Sequence, residues 1–247
     1  MREFRHLKTK KGRDDSGLFI IEGEKFVSEI PEDWEIIRYI FSQHYASTSG
    51  MTPYHNKAPV EVVRDSLFCG MSDTKSPQGI MAVVKQKHYA MHDITSKCGF
   101  ILYGESLNDP GNIGTLIRTA TAAGATGMIL GKNSGDMYNP KVLRASAGAV
   151  LRLPVVTNAD LEKTIDCLRQ LDYSIYATVV DGDILPYNLD LRNNFCYLVG
   201  NESHGLTSQA IALSDAKVCL PMARDMESLN ASVAGGILLY EALRQRL

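Results

Sequence analysis

The stretch GFILYGESLNDPGNIGTLIRTATAAGATGMIL, residues 99–130, reads as strand, helix, strand. Residues 99–103 and 127–130 are short continuous apolar runs, the kind that a sheet buried on both faces requires. Between them Asn108, Asp109 and Pro110 suit a turn and a helix start, and Arg118 is expected about one turn into that helix. Gly111 and Gly114 permit close backbone approach. The spacing GNIG fits neither a GxGxxG dinucleotide fingerprint nor a phosphate loop ending in GK[ST].

The same alternation continues beyond this unit, with apolar runs at 174–179, 195–199 and 216–220 separated by helical patterns. It predicts a mostly parallel sheet covered by helices on both faces. Before it, runs at 18–22, 35–41, 60–63 and 79–84 alternate with helix-compatible stretches and predict a smaller α/β unit. Residues 85–98 lose apolar periodicity and are the expected linker. The resulting division is 1–92 and 93–247, well within what 247 residues can bury as one or two domains.

Composition narrows the class. Hydrophobic residues are 45% and charged residues 22%, close to globular averages, which excludes a largely disordered or fibrous chain. No apolar run approaches the roughly 18 residues of a membrane span, and Met1 opens onto charged residues without a signal core, so a cytoplasmic protein is expected. The five cysteines are odd in number and form no CxxC pair, so no zinc or redox site is expected; they read as reduced, mostly buried thiols. Lys plus Arg is 26 against 28 for Asp plus Glu, yet residues 1–13 hold six basic residues against Glu3 alone. That run is either a solvated helix face or a phosphate contact.

Ligands of open parallel sheets bind at loops leaving the carboxyl ends of strands, so the segments after the apolar runs hold the chemistry. Besides 104–121, two stand out. In LVGNESHGL, residues 198–206, Gly200 and Gly205 bound a polar loop that can fold tightly around a group contacting backbone amides. In LPMARDMESLNASVAGGILLYE, residues 220–241, Pro221 is expected to end a strand, and Ser228, Asn230 and Ser232 are alternative helix N-caps, leaving two free. Ala234, Gly235 and Gly236 interrupt the helix that follows, at about 1 kcal/mol per glycine relative to alanine, and predict a very close neighbour: a strand, another subunit or a ligand.

NIGTLIRTA (112–120), VGNESHGL (199–206) and LPM with ESLNASVA (220–222, 227–234) resemble, in order and spacing, the three motifs of the SpoU-type RNA 2′-O-ribose methyltransferases. Residues 1–90, with FIIEGEKFV and SDTKSPQGIMAVV, resemble the ribosomal-protein-like domain that many members carry first. Departures are Leu220 where isoleucine is usual, Ala231 where valine is usual, and His204 at a variable position. The resemblance implies an α/β SPOUT fold with a carboxyl-terminal trefoil knot, S-adenosylmethionine as cofactor, no metal, an RNA substrate, ribosomal RNA before transfer RNA, and a homodimer with Arg118 near the subunit interface. It implies Asn112, Arg118, Glu202, Ser228 and Asn230 as catalytic residues. Leu198, Gly200, Asn201, Leu220, Met222, Ser228 and Leu229 would surround the cofactor.

A ribose hydroxyl is a poor nucleophile until its proton is removed or polarised. Arginine stays protonated in proteins, so Arg118 is expected to stabilise the developing alkoxide while the proton passes to a phosphate oxygen or water. His204 is read as a loop residue. The competing classes are a non-catalytic RNA-binding protein that keeps the fold and a cofactor-free nucleotide-binding protein; joint retention of the five polar residues argues against both.

Overall fold

The computed structural model describes residues 2–49, 54, 56–95, 99–223 and 227–247. Met1, Cys98, the end of the expected linker and residues 224–226, between the two parts of the third motif, lie outside the described residues. Helices α1 (Arg2–Leu7) and α2 (Lys10–Ser16) lead into a first sheet, where β1 (Leu18–Glu22), α3 (Glu24–Ser28), β2 (Ile36–Ser42), α4 (Gln43–Thr48), β3 (Val60–Val63), α5 (Asp65–Met71) and β4 (Ile80–Lys85) follow. The strand order is β1-β4-β2-β3, with β4 antiparallel to both neighbours and β2 parallel to β3.

Helix α6 (Met91–Ile94) precedes a second sheet built from β5 (Phe100–Gly104), α7 (Pro110–Ala123), β6 (Gly127–Gly131), α8 (Pro140–Ser146), β7 (Val155–Ala159), α9 (Leu161–Gln170), β8 (Ser174–Thr178), β9 (Phe195–Val199), α10 (Ser208–Ala212), β10 (Ala216–Val218) and α11 (Ala231–Arg246). Its order is β10-β8-β9-β5-β6-β7, and the paired strands are all parallel. The mixed α/β class and the parallel sheet are as expected. Alternation along β5 explains the two covered faces: Phe100 and Leu102 join the core with Leu116, Ile117 and Leu238, whereas Ile101 and Tyr103 join Ile94, Ile165 and Leu168 on the other side.

Strand β7 was not expected. Its one apolar pair, Val155 and Val156, follows Pro154 and gives way to polar Thr157 and to Asn158 at φ +57°, so this edge strand is too short and polar to show in the pattern. Strand β10 ends at Val218, three residues before Pro221, because the Cys219 amide turns to donate to the Ile184 carbonyl (3.0 Å). Of the described cysteines only Cys196 is buried; Cys69 is exposed and Cys167 and Cys219 are half-buried, correcting the expectation of mostly buried thiols. Among the described residues no helix is long and apolar enough to cross a membrane.

The two sheets share one core. Phe19 and Tyr138 rings lie 4.4 Å apart, and the Trp34 indole donates to the Leu151 carbonyl at 3.0 Å. Arg13 is 2% exposed. Its Nε and Nη2 donate to one Asp136 oxygen at 2.8 and 2.5 Å, and its Nη1 donates to the Leu7 carbonyl at 2.8 Å. Lys8 pairs with Asp73 at 2.9 Å. The basic run is therefore not one solvated face: Arg13 and Lys8 are internal partners, and Arg5, Lys10 and Lys11 remain exposed.

Removing one partner of a buried ion pair strands the other charge, at about 3–5 kcal/mol. Arg13→Met should lower unfolding stability in urea by about 3 kcal/mol, and adding Asp136→Asn should restore most of it. Equal losses in the single and double variants would contradict this reading.

Candidate functional site

In the second sheet β5 is the strand from which order runs outward in both directions, so the loops after β5 and β9 leave side by side at their carboxyl ends. Helix α7 begins as the sequence predicts: Asp109 caps it by accepting from the Asn112 amide at 2.8 Å, and Pro110 opens the first turn. Arg118 lies eight residues beyond Pro110, a little over two turns in and not one. Gly114 is required by close approach, since a Cβ there would lie 2.5 Å from the Ala145 Cβ on α8.

The loop after β9 closes on itself. Asn201 and Gly205 exchange backbone hydrogen bonds of 3.0 and 2.9 Å, Gly205 takes φ +66°, and a Cβ on Gly200 would collide with Gly205. The backbone amides of Asn201 and Gly205 are thus spent within the loop. The Asn201 side chain donates to the Ser106 carbonyl at 2.7 Å and accepts from the Ser203 amide at 2.9 Å.

A hydrogen-bond chain joins all three segments. The Asn112 amide nitrogen donates to Glu202 Oε1 at 3.0 Å, and its oxygen accepts from the Asn230 amide nitrogen at 2.9 Å. Glu202 also accepts from the Asp109 and Asn108 backbone amides at 3.2 and 3.5 Å. Asn230 caps α11, its oxygen accepting from the Ser232 amide and hydroxyl at 2.9 and 2.7 Å. Ser232 is therefore engaged with the cap, and of the alternative caps only Ser228 is left over. Partial burial works to raise the pKa of Glu202, but the bonds from Asn112, Asp109 and Asn108 outweigh it and hold the carboxyl below its ordinary range.

Beside this chain is a cavity of about 430 Å³ walled by the segments after β8, β9 and β10 and by the start of α11. Gly200, Asn201, Leu220, Met222, Ser228 and Leu229 line it, as does Glu202. Leu198 does not: its side chain is wholly buried in the core, and its carbonyl accepts from the Thr178 hydroxyl at 2.7 Å. Asn112, which is buried, and Asn230, which is exposed, are not among the lining residues. Arg118 is exposed on α7 with no hydrogen-bond or ionic partner among the described residues. The small residues of α11 serve two neighbours within the chain. Ala234 lines the cavity, while a Cβ on Gly235 would sit 2.5 Å from Leu116 of α7; the helix runs unbroken through both.

Residues 99–240 match the SpoU rRNA Methylase family, and residues 1–82 match the MRM3-like substrate binding domain. The chain belongs to the SpoU rRNA methylase family. It is 29% identical over 240 residues to the 23S rRNA (guanosine(2553)-2′-O)-methyltransferase RlmP of Bacillus subtilis, covering 97% of this chain and 94% of that protein. It is 31% identical to the 23S rRNA (guanosine-2′-O-)-methyltransferase RlmB of Xylella fastidiosa, covering 89% of this chain and 93% of the relative. The AdoMet-bound rRNA methyltransferase of Sinorhizobium meliloti superposes with a TM-score of 0.90 at 28% identity, over 100% of this chain and 94% of that one. AviRb of Streptomyces viridochromogenes with AdoMet does so at 0.90 and 26%, covering 99% and 96%. This SpoU methylase is thus an S-adenosylmethionine-dependent RNA methyltransferase.

Its residues fit that cofactor. The cavity is within the size range of small-molecule sites, and Leu220, Leu229 and Met222 offer apolar surface beside the polar Ser228 and Asn201. Among the described residues no three His, Cys, Asp or Glu side chains gather as metal ligands. The methylase also has site elements that the sequence reading passed over. Thr178 and Asp181 line the cavity, and their signal was present, because Thr178 closes β8 and Asp181 follows within three residues of its carboxyl end. Glu105, 9% exposed, accepts from the Thr207 amide and hydroxyl at 2.8 Å each and pins the far end of the Gly200–Gly205 loop. No local pattern marks it.

A carboxylate with a depressed pKa stabilises its surroundings above the ordinary carboxylate range and loses that effect as pH falls through the lowered value. Protection of the Asn108 and Asp109 amides against hydrogen exchange should be flat through neutrality and decline only once the pH falls below the ordinary carboxylate range. Glu202→Gln at neutral pH should reduce that protection about tenfold, the size of one lost charge-assisted bond. Unchanged protection would contradict the role given to Glu202.

Proposed function

We propose that this methylase transfers a methyl group to a ribose 2′-hydroxyl of ribosomal RNA, with residues 1–92 engaging the RNA and residues 93–247 carrying the reaction in the cytoplasm. The observation that carries the reading is the Glu202–Asn112–Asn230 chain, which locks three distant segments together beside the cavity. The chain's carboxyl-terminal threading as a trefoil knot belongs to the same proposal. It is supported by the close passage of Gly182 past the Val218–Cys219 backbone, 2.7 Å from a Cβ there.

S-adenosylmethionine supplies an electrophilic methyl group on a sulfonium. Gly200, Leu220, Met222 and Leu229 form its walls, and Ser228 faces the same space. Asn201 faces that space as well and ties its loop to the Ser106 carbonyl, whereas Leu198 acts at one remove, through the Thr178 hydroxyl that its carbonyl accepts. Glu202, anionic at neutral pH, orients the Asn112 amide, and Asn112 orients Asn230 at the head of α11. Arg118 is the transition-state residue: a permanently charged guanidinium beside the attacking oxygen stabilises the alkoxide as its proton leaves to a phosphate oxygen or water. No metal is invoked.

A second copy of the chain completes the arrangement. Val233, Ile237 and Tyr240 are 51%, 45% and 52% exposed at helical spacing on α11, and α11 packs on the helix that carries Arg118. Covering this stripe brings the unpartnered Arg118 of one protomer toward the partner's site. Sedimentation should give a dimer at nanomolar concentration; a fully active monomer would refute it.

The reaction is tested with methyl-labelled S-adenosylmethionine and total RNA from cells lacking the protein. A ribose without a free 2′-hydroxyl cannot attack its neighbouring phosphate in alkali, so label should enter ribosomal RNA and survive as an uncleaved dinucleotide. Label released as a single modified nucleotide would mean base methylation, and label in transfer RNA would overturn the substrate. Arg118→Ala should abolish transfer with cofactor affinity within a few fold.

A further inference from the structure

Most cations of the second sheet's unit are spoken for. Lys132 pairs with Asp160, Arg152 with Glu29, Arg169 with Asp215, Arg192 with Asp190, Lys217 with Asp183 and Arg244 with Glu241. Lys163 lies in the field of Asp160, and Arg246 covers the Phe100 and Phe195 rings. Arg118, Lys141 and Arg144 have no such partner among the described residues, and all three are exposed. They sit on two helices in direct contact. Gly114 of α7 meets Ala145 of α8, and Arg118 and Lys141 each lie four residues, about one turn, from that crossing. Arg144 is three residues on from Lys141 and lines the crevice between the two sheets, together with Lys8 of the amino-terminal unit.

The placement of Lys141 breaks a local rule. It stands in the first turn of α8, where the helix dipole disfavours a cation, and α8 contains no acidic residue to offset it. The helix is otherwise firmly held, capped by Asn139 at its start and ended by Ala147 in a left-handed conformation at φ +48°. Unfavourable charge kept on a rigid element, with no internal partner, indicates an external anion. The carboxylates nearest the crevice are already engaged, Asp73 by Lys8 and Glu22 by Ser72 and Thr74.

We infer that Lys141 and Arg144 form a phosphate-contact surface that carries the RNA backbone from the ribose at Arg118 toward the amino-terminal unit. The inference rests on the proposed RNA substrate and adds the path that the substrate takes. An A-form or looped RNA offers closely spaced phosphates to such a track, and the contact is independent of sequence.

The test uses the full chain and an unmodified 23S ribosomal RNA transcript, with affinity measured between about 50 and 200 mM salt. Lys141→Gln/Arg144→Gln should reduce the slope of log affinity against log salt by about 1.4, two phosphates at about 0.7 each. It should also raise KM for RNA about tenfold while kcat at saturating RNA and the dissociation constant for S-adenosylmethionine change less than about twofold. Lys163→Gln/Lys217→Gln removes the same charge elsewhere and should leave the slope unchanged, and Lys141→Arg/Arg144→Lys should retain the wild-type slope. An unchanged slope in Lys141→Gln/Arg144→Gln, or an equal reduction in the control, overturns the inference. Loss of slope in that variant, with no methyl transfer to any RNA by the wild type, would sustain the surface and remove the proposed reaction.

Discussion

A single side-chain amide, that of Asn112, holds the site together. It is 7% exposed and uses its nitrogen for Glu202 and its oxygen for Asn230, so both ends of a buried dipole are satisfied by residues 90 and 118 positions away. Leaving either end unpaired in a buried setting costs about 1–3 kcal/mol, which makes this bond pattern directional and hard to replace. The rest of this end of the sheet follows from it. Glu202 reaches Asn112 only if the loops after β5 and β9 are adjacent, and Asn230 reaches it only if α11 returns across α7. The close packing of Gly235 on Leu116 and of Gly114 on Ala145 supplies that geometry.

The amino-terminal sheet is bound to this end by physics of another kind. A continuous apolar core runs from Phe19 and Trp34 to Tyr138 and Leu151, and the buried Arg13–Asp136 pair fixes its registry. Asp136 belongs to the loop after β6, in which the Gly135 amide donates to the Leu107 carbonyl at 2.7 Å, next to the Asn108 and Asp109 amides that hold Glu202. The amino-terminal unit and the polar chain are thereby parts of one packed body.

Much of this was legible in the residues. Continuous apolar runs mark fully buried strands, so β5, β6, β8 and β9 were placed within a residue or so of their ends, and Asp109 and Pro110 marked the start of α7 by the chemistry of helix capping. Glycine at 114 and 235 correctly signalled close approach, but pattern alone cannot say to what, and both neighbours are helices of the same chain. What escaped was non-local. Arg13 reads as one more cation in a basic run until Asp136 is brought to it from 123 positions away, Glu105 has no motif, and Leu198 points into the core because period-two alternation in β9 sends its side chain opposite to Val199.

The central claim is that Glu202 and Asn230 act through one shared amide, and a double-mutant cycle tests it most directly. Glu202→Gln and Asn230→Ala, singly and together, would be compared in single-turnover methyl transfer with saturating cofactor. If Asn112 couples them, the double variant should lose little more than the worse single variant, an interaction free energy of about 1–3 kcal/mol. Losses that simply add would mean that the two residues act independently, and would contradict the account.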